Sequence, residues 1–448
     1  MVTFDQIYIR NLGFSFKFHK LKRVEELPLQ EQLFCAVVRQ APDVVALLES
    51  TNIDCLQKLL DFLEKTGFGG LFLNALFDQS LVPNFNSAWN NHDKQFTAKL
   101  SHLSARESAN STQFESKFRD VLLYLNQEVN SLIWVKGAHL ARTIYPDKKY
   151  RQFGDFDVIV RRNKVEAVIE LLEEKGFVAA PIAANTNQFG AGPTRSVADL
   201  FLAPNHNWIP SSAVTMKFGT TYDVDIKLGP LDRGLQILEI ERFFEDAAVY
   251  RCLEASYKAP SNVDHLMIMI RNLEKDRFQN WKSLMDVHLL AGSLNANELD
   301  WELFVARCAK EGIKTSAWTG LKVAENRFGS TVPSFVFKSL APRWPNQFSF
   351  MAAPAYTWNS CGIPSLLFNA ITAEDCQRKL EVLTKSLCPS REFLTAYFNI
   401  PTKLSGLRTL FYLFLYWYVL TVPAGVTRRS IGKKLWPNKS MLKQSQFR

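Results

Sequence analysis

Between Gly154 and Val160 the chain reads Gly-Asp-Phe-Asp-Val-Ile-Val. In a strand, the period of two puts Asp155 and Asp157 on one face and turns Phe156, Val158 and Val160 toward a core. Two carboxylates this close repel each other unless a cation lies between them. A pair of divalent ions about 3.5–4 Å apart meets that need in phosphoryl and nucleotidyl transfer. Magnesium suits such oxygen ligands and bridges carboxylates to phosphates. Asp-x-Asp by itself is common on solvated strand edges and turns, so its surroundings decide.

Those surroundings point the same way. Upstream, the apolar run Leu132–Val135 meets Lys136-Gly137-Ala138 and a helical stretch follows to about Tyr145. A glycine between a strand and a helix leaves backbone N–H groups able to hold a phosphate. Downstream, Tyr222–Leu228 alternates, with Tyr222, Val224, Ile226 and Leu228 on one face and Asp223, Asp225 and Lys227 on the other. Either aspartate of that strand can supply a third carboxylate. The histidines say less: His139 follows the glycine turn, His206 lies in a loop, and His265 and His288 fall in helical stretches where packing roles suit them.

The order hydrophobic–Gly–small, Asp-x-Asp, then a later strand Asp resembles the DNA polymerase β nucleotidyltransferase superfamily. More narrowly, Lys136-Gly137-Ala138, Leu140, Tyr145-Pro146, Arg151, Asp155 through Val160, Leu171-Leu172 and Gly176-Phe177 are similar to a family of largely uncharacterised bacterial nucleotidyltransferases. The likeness extends to Leu56–Phe77, to the helices of 263–328 and to Cys388-Pro389-Ser390, Phe393-Leu394 and Tyr397. Where that family's late strand reads apolar–Asp–apolar–His, this chain has Val224-Asp225-Ile226-Lys227, a lysine in place of the histidine.

The resemblance implies a metal-dependent enzyme that moves a nucleoside monophosphate from an NTP, such as ATP, to an acceptor hydroxyl and releases pyrophosphate. The acceptor would be a small molecule, glycan precursor, peptide or protein. It implies Asp155, Asp157 and Asp225 as catalytic residues and ligands of Mg2+ or Mn2+, with Asp223 the reserve for Asp225. It implies Lys136, Gly137, Ala138 and Arg151 as nucleotide-binding residues: backbone N–H groups at Gly137 and Ala138, phosphate charge neutralised by Lys136 and Arg151. Surface salt bridges are the plainer reading of those two cations. The rival outcomes are phosphoryl or pyrophosphoryl transfer on the same site, and a silent nucleotide-binding scaffold for a biosynthetic partner.

The elements that must position these residues set the fold class as mixed α/β (α+β). A polymerase-β-like nucleotidyltransferase core with a short mixed sheet, at 131–260, is flanked by helical regions at 1–130 and 261–400, with an apolar aromatic segment and basic tail at 401–448. Leu56, Leu59, Leu60 and Leu63 repeat at helical spacing ahead of Gly67, and Phe118, Val121, Leu122, Leu125 and Val129 repeat likewise. The polar stretch Asn84–Thr112 suits a solvated helix or a loop. Asn163 and Glu166 suggest a capping box for the helix of Val165, Val168, Ile169 and Leu172, which Gly176 would close. Residues 179–212 read as loop.

Bulk composition narrows the class. With 448 residues, 47% hydrophobic and 22% charged, the chain is an ordinary globular protein large enough for two or three packed regions. The seven cysteines are scattered without a Cys-x-x-Cys pair, which signals neither a disulfide framework nor zinc, and no signal peptide is read at the start; a cytoplasmic setting is the expectation. The net charge of +9 is not spread evenly: residues 401–448 carry nine Lys/Arg and no acid, leaving 44 of each sign in the first 400. No specific nucleic acid is therefore expected as a partner. Within that tail, residues 409–427 are uncharged and include the run Phe411–Leu420. A core helix, attachment to an anionic membrane surface and a full span all accommodate it; Pro423 and Gly425 weaken the last.

For the peripheral membrane reading, each basic residue near an anionic leaflet contributes about 1 kcal/mol. Full-length protein is then expected to sediment with phosphatidylserine vesicles and to be partly released by high salt, while a chain ending near residue 400 stays in solution. A truncated chain that misfolds beside a full-length protein that ignores vesicles assigns the segment to the core instead.

Overall fold

The structure, a computed structural model, describes residues 7–9, 14–16, 23–78, 94–179, 213–219, 222–227, 240–252, 255–276 and 278–342, with Leu380 and Leu410. His206, the 388–397 motif and, apart from Leu410, the 401–448 segment lie outside the described residues.

A short β1–β2 pair (Ile7–Ile9, Phe14–Phe16) precedes four helices, α1 (Leu29–Arg39), α2 (Val44–Glu49), α3 (Ile53–Thr66) and α4 (Gly69–Asp78). The α3 boundaries follow from its ends. The Asn52 side chain accepts from the Cys55 N–H at 2.9 Å, and Gly67 closes the helix at φ 70°, a left-handed conformation that favours glycine. Leu56, Leu59, Leu60 and Leu63 are all buried, as their spacing predicts. The polar stretch resolves in favour of helix from Lys94 onward: α5 runs unbroken from Lys94 to Leu125. Its Glu107 carboxylate turns inward and accepts from the N–H groups of Gly69 (3.0 Å) and Gly70 (2.7 Å), satisfying the start of α4.

The core sheet follows. β3 (Leu132–Val135), α6 (Gly137–Thr143), β4 (Asp155–Val160), α7 (Val165–Glu174), β5 (Val178–Ala179), β6 (Ala213–Phe218) and β7 (Tyr222–Lys227) build five strands in the order β3-β4-β7-β6-β5. Only β4 and β7 run parallel; the other neighbours are antiparallel, so the sheet is mixed. The Asn163 cap does not form. Arg162–Lys164 make a single 3-10 turn and Lys164 precedes α7 without a side-chain cap. Gly176 does close α7, at φ 87°, with the Gly176 and Phe177 N–H groups bonded back to Glu173 and Leu172. Strand β6 was not expected; its Thr215 and Lys217 alternate with buried Val214 and Met216.

After α8 (Ile240–Glu245) comes a hairpin, β8 (Ala248–Cys252) and β9 (Ala255–Ala259), also unforeseen in the sequence. Five helices follow: α9 (Asn262–Lys275), α10 (Trp281–Leu294), α11 (Glu298–Lys310), α12 (Lys314–Phe328) and α13 (Ser334–Leu340). The N-terminal helices α1–α4 and α9–α13 share one apolar core. A second core fills one face of the sheet, between Phe156, Val158, Val160, Val224 and Ile226 and the residues of α7, the end of α5 and β9. Ile133, Val135 and Ile159 on the opposite face pack against Phe243, Phe244 and Ile268. Cys35, Cys55, Cys252 and Cys308 are buried free thiols. Among the described residues no helix is long and apolar enough to cross a membrane.

The segment leading into β4 is tied to α10 by a buried ion pair. Arg151 grips Asp286 of α10 with both prongs, Nε and Nη2 each donating at 2.8 Å, and the Tyr145 hydroxyl donates to the same carboxylate at 2.7 Å. Asp286 is fully buried and the Arg151 side chain is 9% exposed. Removing one member of such a pair leaves an uncompensated charge and typically costs about 3–5 kcal/mol. Asp286→Ala should therefore shift urea unfolding by an amount of that order, with Asp286→Asn milder; an unchanged midpoint would show that the pair does not stabilise the fold.

Candidate active site

The parallel register of β4 and β7 sets Asp155 opposite Asp223 and Asp157 opposite Asp225. Of these four, Asp155, Asp157 and Asp225 each offer a carboxylate oxygen within 4.8 Å of the other two, an all-oxygen cluster able to hold a metal ion. Asp223 stands apart, its carboxylate paired with Lys217 of β6 at 3.3 Å. The Thr215 hydroxyl donates to Asp225 Oδ1 at 2.6 Å, which orients that carboxylate.

Two ammonium groups balance the acids. Lys227 Nζ lies 2.9 Å and Lys136 Nζ 3.2 Å from the same oxygen, Asp157 Oδ1. Burial alone would push Asp157 up, but these two cations and their hydrogen bonds overcome it and hold the carboxyl at about 2. Asp155, at the open mouth of β4, has the opposite fate: burial of its carboxyl, then the charges of Asp157 and Asp225, push it up to about 6. Asp225 is also raised, chiefly by burial.

Lys136 reaches Asp157 from a strained backbone. At φ 60° and ψ −137° it occupies a region that a side chain rarely tolerates, at a cost of about 1–3 kcal/mol. Two contacts hold it there: its ammonium on Asp157, and its N–H, which donates to His265 Nε2 of α9 at 2.9 Å. His265 is thus more than a packing residue. Its ring stacks on His139 at 5.1 Å, and burial drives both imidazoles toward the neutral form, His139 down to about 3. His139 in turn meets the Tyr257 hydroxyl at 3.3 Å. His288 lies elsewhere, against Ser330.

Gly137 is required by contact. A Cβ there would stand 2.7 Å from Phe153 Cβ, closer than such atoms approach. The first N–H groups of α6, at Gly137 and Ala138, lie ahead of the first intrahelical bond, Leu140 N–H to Lys136 O, and can serve an anion. Arg151 lies behind this turn, its Nη1 3.8 Å from the same Cβ position, with its fork committed to Asp286.

The structure therefore brings together Asp155, Asp157, Asp225, Lys136, Gly137 and Ala138, and places Arg151 in the wall behind them. Lys227, Thr215 and His265 join them without having been singled out for the site. The alternation of β7 carried Lys227 onto the acidic face, and Thr215 had the same signal in a segment whose neighbours read as loop. Nothing in the sequence announced the long-range reach of His265 to Lys136.

A mixed sheet carrying three clustered aspartates beside a strand–glycine–helix turn defines a nucleotidyltransferase class of enzyme. Residues 70–329, more than half of the chain, match the family described as uncharacterised nucleotidyltransferase, and the protein belongs to that family of transferases. No curated protein matches the chain.

Relief of repulsion predicts that exchanging both β4 aspartates for Asn leaves stability equal or higher; the ion pairs separate the two positions. A carboxyl raised to about 6 binds its proton more tightly folded than unfolded, so it subtracts stability as pH rises from its ordinary value near 3.8 through 6. Asp155→Asn should raise the metal-free melting temperature above pH 6 and lose that advantage below about pH 4. Asp157→Asn should lower it at neutral pH, because two half-buried to buried ammonium groups lose their partner. Melting curves of both variants in EDTA across this pH range check the signs; two variants that shift alike would contradict the assignment.

Proposed function

We propose that the protein transfers a nucleoside monophosphate from an NTP to an acceptor hydroxyl, releasing pyrophosphate, with Mg2+ or Mn2+ held by Asp155, Asp157 and Asp225. The observation that carries this reading is the three-aspartate cluster across β4 and β7, next to the turn whose first N–H groups, at Gly137 and Ala138, precede the first intrahelical bond. The donor set fits the ion: three carboxylates within 4.8 Å and no sulfur or imidazole among them match a hard cation. When bound, such an ion polarises the phosphoryl oxygens and neutralises charge that builds on them.

The chain's own residues supply the rest. Gly137 and Ala138 donate backbone N–H groups to the phosphates, positioned by the close packing of Gly137 on Phe153. Asp225, held through Oδ1 by Thr215 and raised by burial, accepts the proton of the attacking hydroxyl at its other oxygen. Lys136, the more exposed of the two ammonium groups at 15%, is placed to move from Asp157 onto phosphate when substrate arrives. Arg151 acts from behind the turn through its charge and its hold on Asp286. Lys282 of α10 makes neither hydrogen bond nor ion pair among the described residues; burial lowers it, and it lies near enough to feel the Asp155 carboxylate. It is a second cation available to the triphosphate.

NTPs labelled at the α or γ position, incubated with the protein and Mg2+ or Mn2+, separate the alternatives: α-label transfer with pyrophosphate release supports this reading, γ-label transfer supports phosphoryl transfer, and neither supports a silent scaffold. Asp225→Asn is expected to lower kcat by about 10²–10⁴-fold, the usual contribution of a general base, whereas Asp223→Asn should stay within a few-fold. The reverse order would move the role to Asp223.

A further inference from the structure

Asp157 is the middle carboxylate of the cluster, and a two-ion site would need both of its oxygens, one for each ion. One of them is already taken. Asp157 Oδ1 accepts from Lys227 Nζ at 2.9 Å and from Lys136 Nζ at 3.2 Å, which uses both lone pairs of that oxygen. The two lysines differ in freedom. Lys136 sits at the turn and is 15% exposed, whereas the Lys227 side chain is 5% exposed, at the end of β7 beside buried Ile159. A buried ammonium at hydrogen-bonding distance from a buried carboxylate is costly to separate from it. Substrate can therefore draw Lys136 away, but Lys227 stays.

We propose that Lys227 takes the place of a second divalent ion on Asp157, so that the site works with a single metal ion. The inference rests on the nucleotidyltransferase reading above. Local charge supports it: an ion set on Asp157 Oδ1 would stand against the buried Lys227 ammonium, which already lies 2.9 Å from that oxygen. With Lys227 held on Asp157 Oδ1, the three carboxylates that cluster within 4.8 Å still offer one oxygen each to a single ion. In a two-ion site the second cation spreads the charge of the reacting phosphate; here a fixed ammonium does so from one side and leaves no exchangeable ion there.

The test counts metal on the full-length protein, with no need for turnover. Metal-free protein is equilibrated with Mn2+ and saturating inorganic triphosphate, and manganese retained with the protein is measured after ultrafiltration. Electron paramagnetic resonance then reports whether paired manganese ions couple. The wild type is expected to retain one ion per chain, without a coupled signal. Lys227→Met and Lys227→Gln, which free Oδ1 from its buried partner, are expected to retain two, with coupling. Two ions on the wild type would overturn the proposal while leaving the nucleotidyltransferase reading intact. One ion on wild type and both variants would also overturn it, since Lys227 would not be what limits the count. No retained manganese on the wild type would overturn both readings. If the variants fail to fold, the wild-type count still decides.

Discussion

The constraint on which this structure depends is electrostatic: three carboxylates are gathered within 4.8 Å on adjacent strands. Such a cluster is stable in a folded chain only where positive charge is delivered to the same place. Lys136 and Lys227 deliver it, both to one oxygen of Asp157. Much of the surrounding architecture follows. The strained backbone at Lys136 carries its ammonium inward, the His265 acceptor on α9 holds that backbone, and the glycine beside it allows Phe153 to approach. The acids are consequently unequal before any metal arrives, with Asp157 firmly ionised and Asp155 poised near neutrality.

The helical regions are part of this arrangement. His265 and Asp286, from α9 and α10, reach the loop and turn that lie on either side of β4's approach, one through Lys136 and the other through Arg151. Glu107 of α5 closes the start of α4, and Gln152, next to Arg151, donates to the Glu107 carbonyl at 2.9 Å. The loop that delivers Asp155 is thus held from both sides by helices distant in sequence.

Local periodicity made much of the site legible in the sequence. Asp155 and Asp157 share a face because a strand has period two, and the alternation of Tyr222–Lys227 set the aspartates of β7 on its polar side. The alternation could not set Asp225 in the cluster and Asp223 apart; that depends on where the side chains gather and on the pairing of Asp223 with Lys217, which sequence spacing does not contain. Lys227 was visible on the acidic face of β7 and as a lysine in place of a histidine, but its reach to Asp157 was not, because burial of an ammonium is a tertiary property. Strand β6 follows directly on a stretch that reads as loop, and the β8–β9 hairpin is built of strands of five residues each, so neither stood out. Asn163 fits a cap by composition, yet the 3-10 turn at Arg162–Lys164 moves the helix start past it. Family membership and the fold class agree with the motif order read from residues 132–228.

Helix α5 has a consequence for how the molecule comes apart. At 32 residues it extends over about 48 Å. Phe96, Leu100 and Leu103 near its start belong to the core of the helical regions, while Phe118, Val121, Leu122 and Leu125 near its end belong to the core of the sheet. Neither core can melt without stripping apolar cover from one end of the same continuous rod. The middle of the rod, polar and rich in Ser, is too weakly helical to survive alone once either end is released. Denaturation of one half therefore propagates along α5 into the other, and these regions should behave as a single foldon in hydrogen exchange.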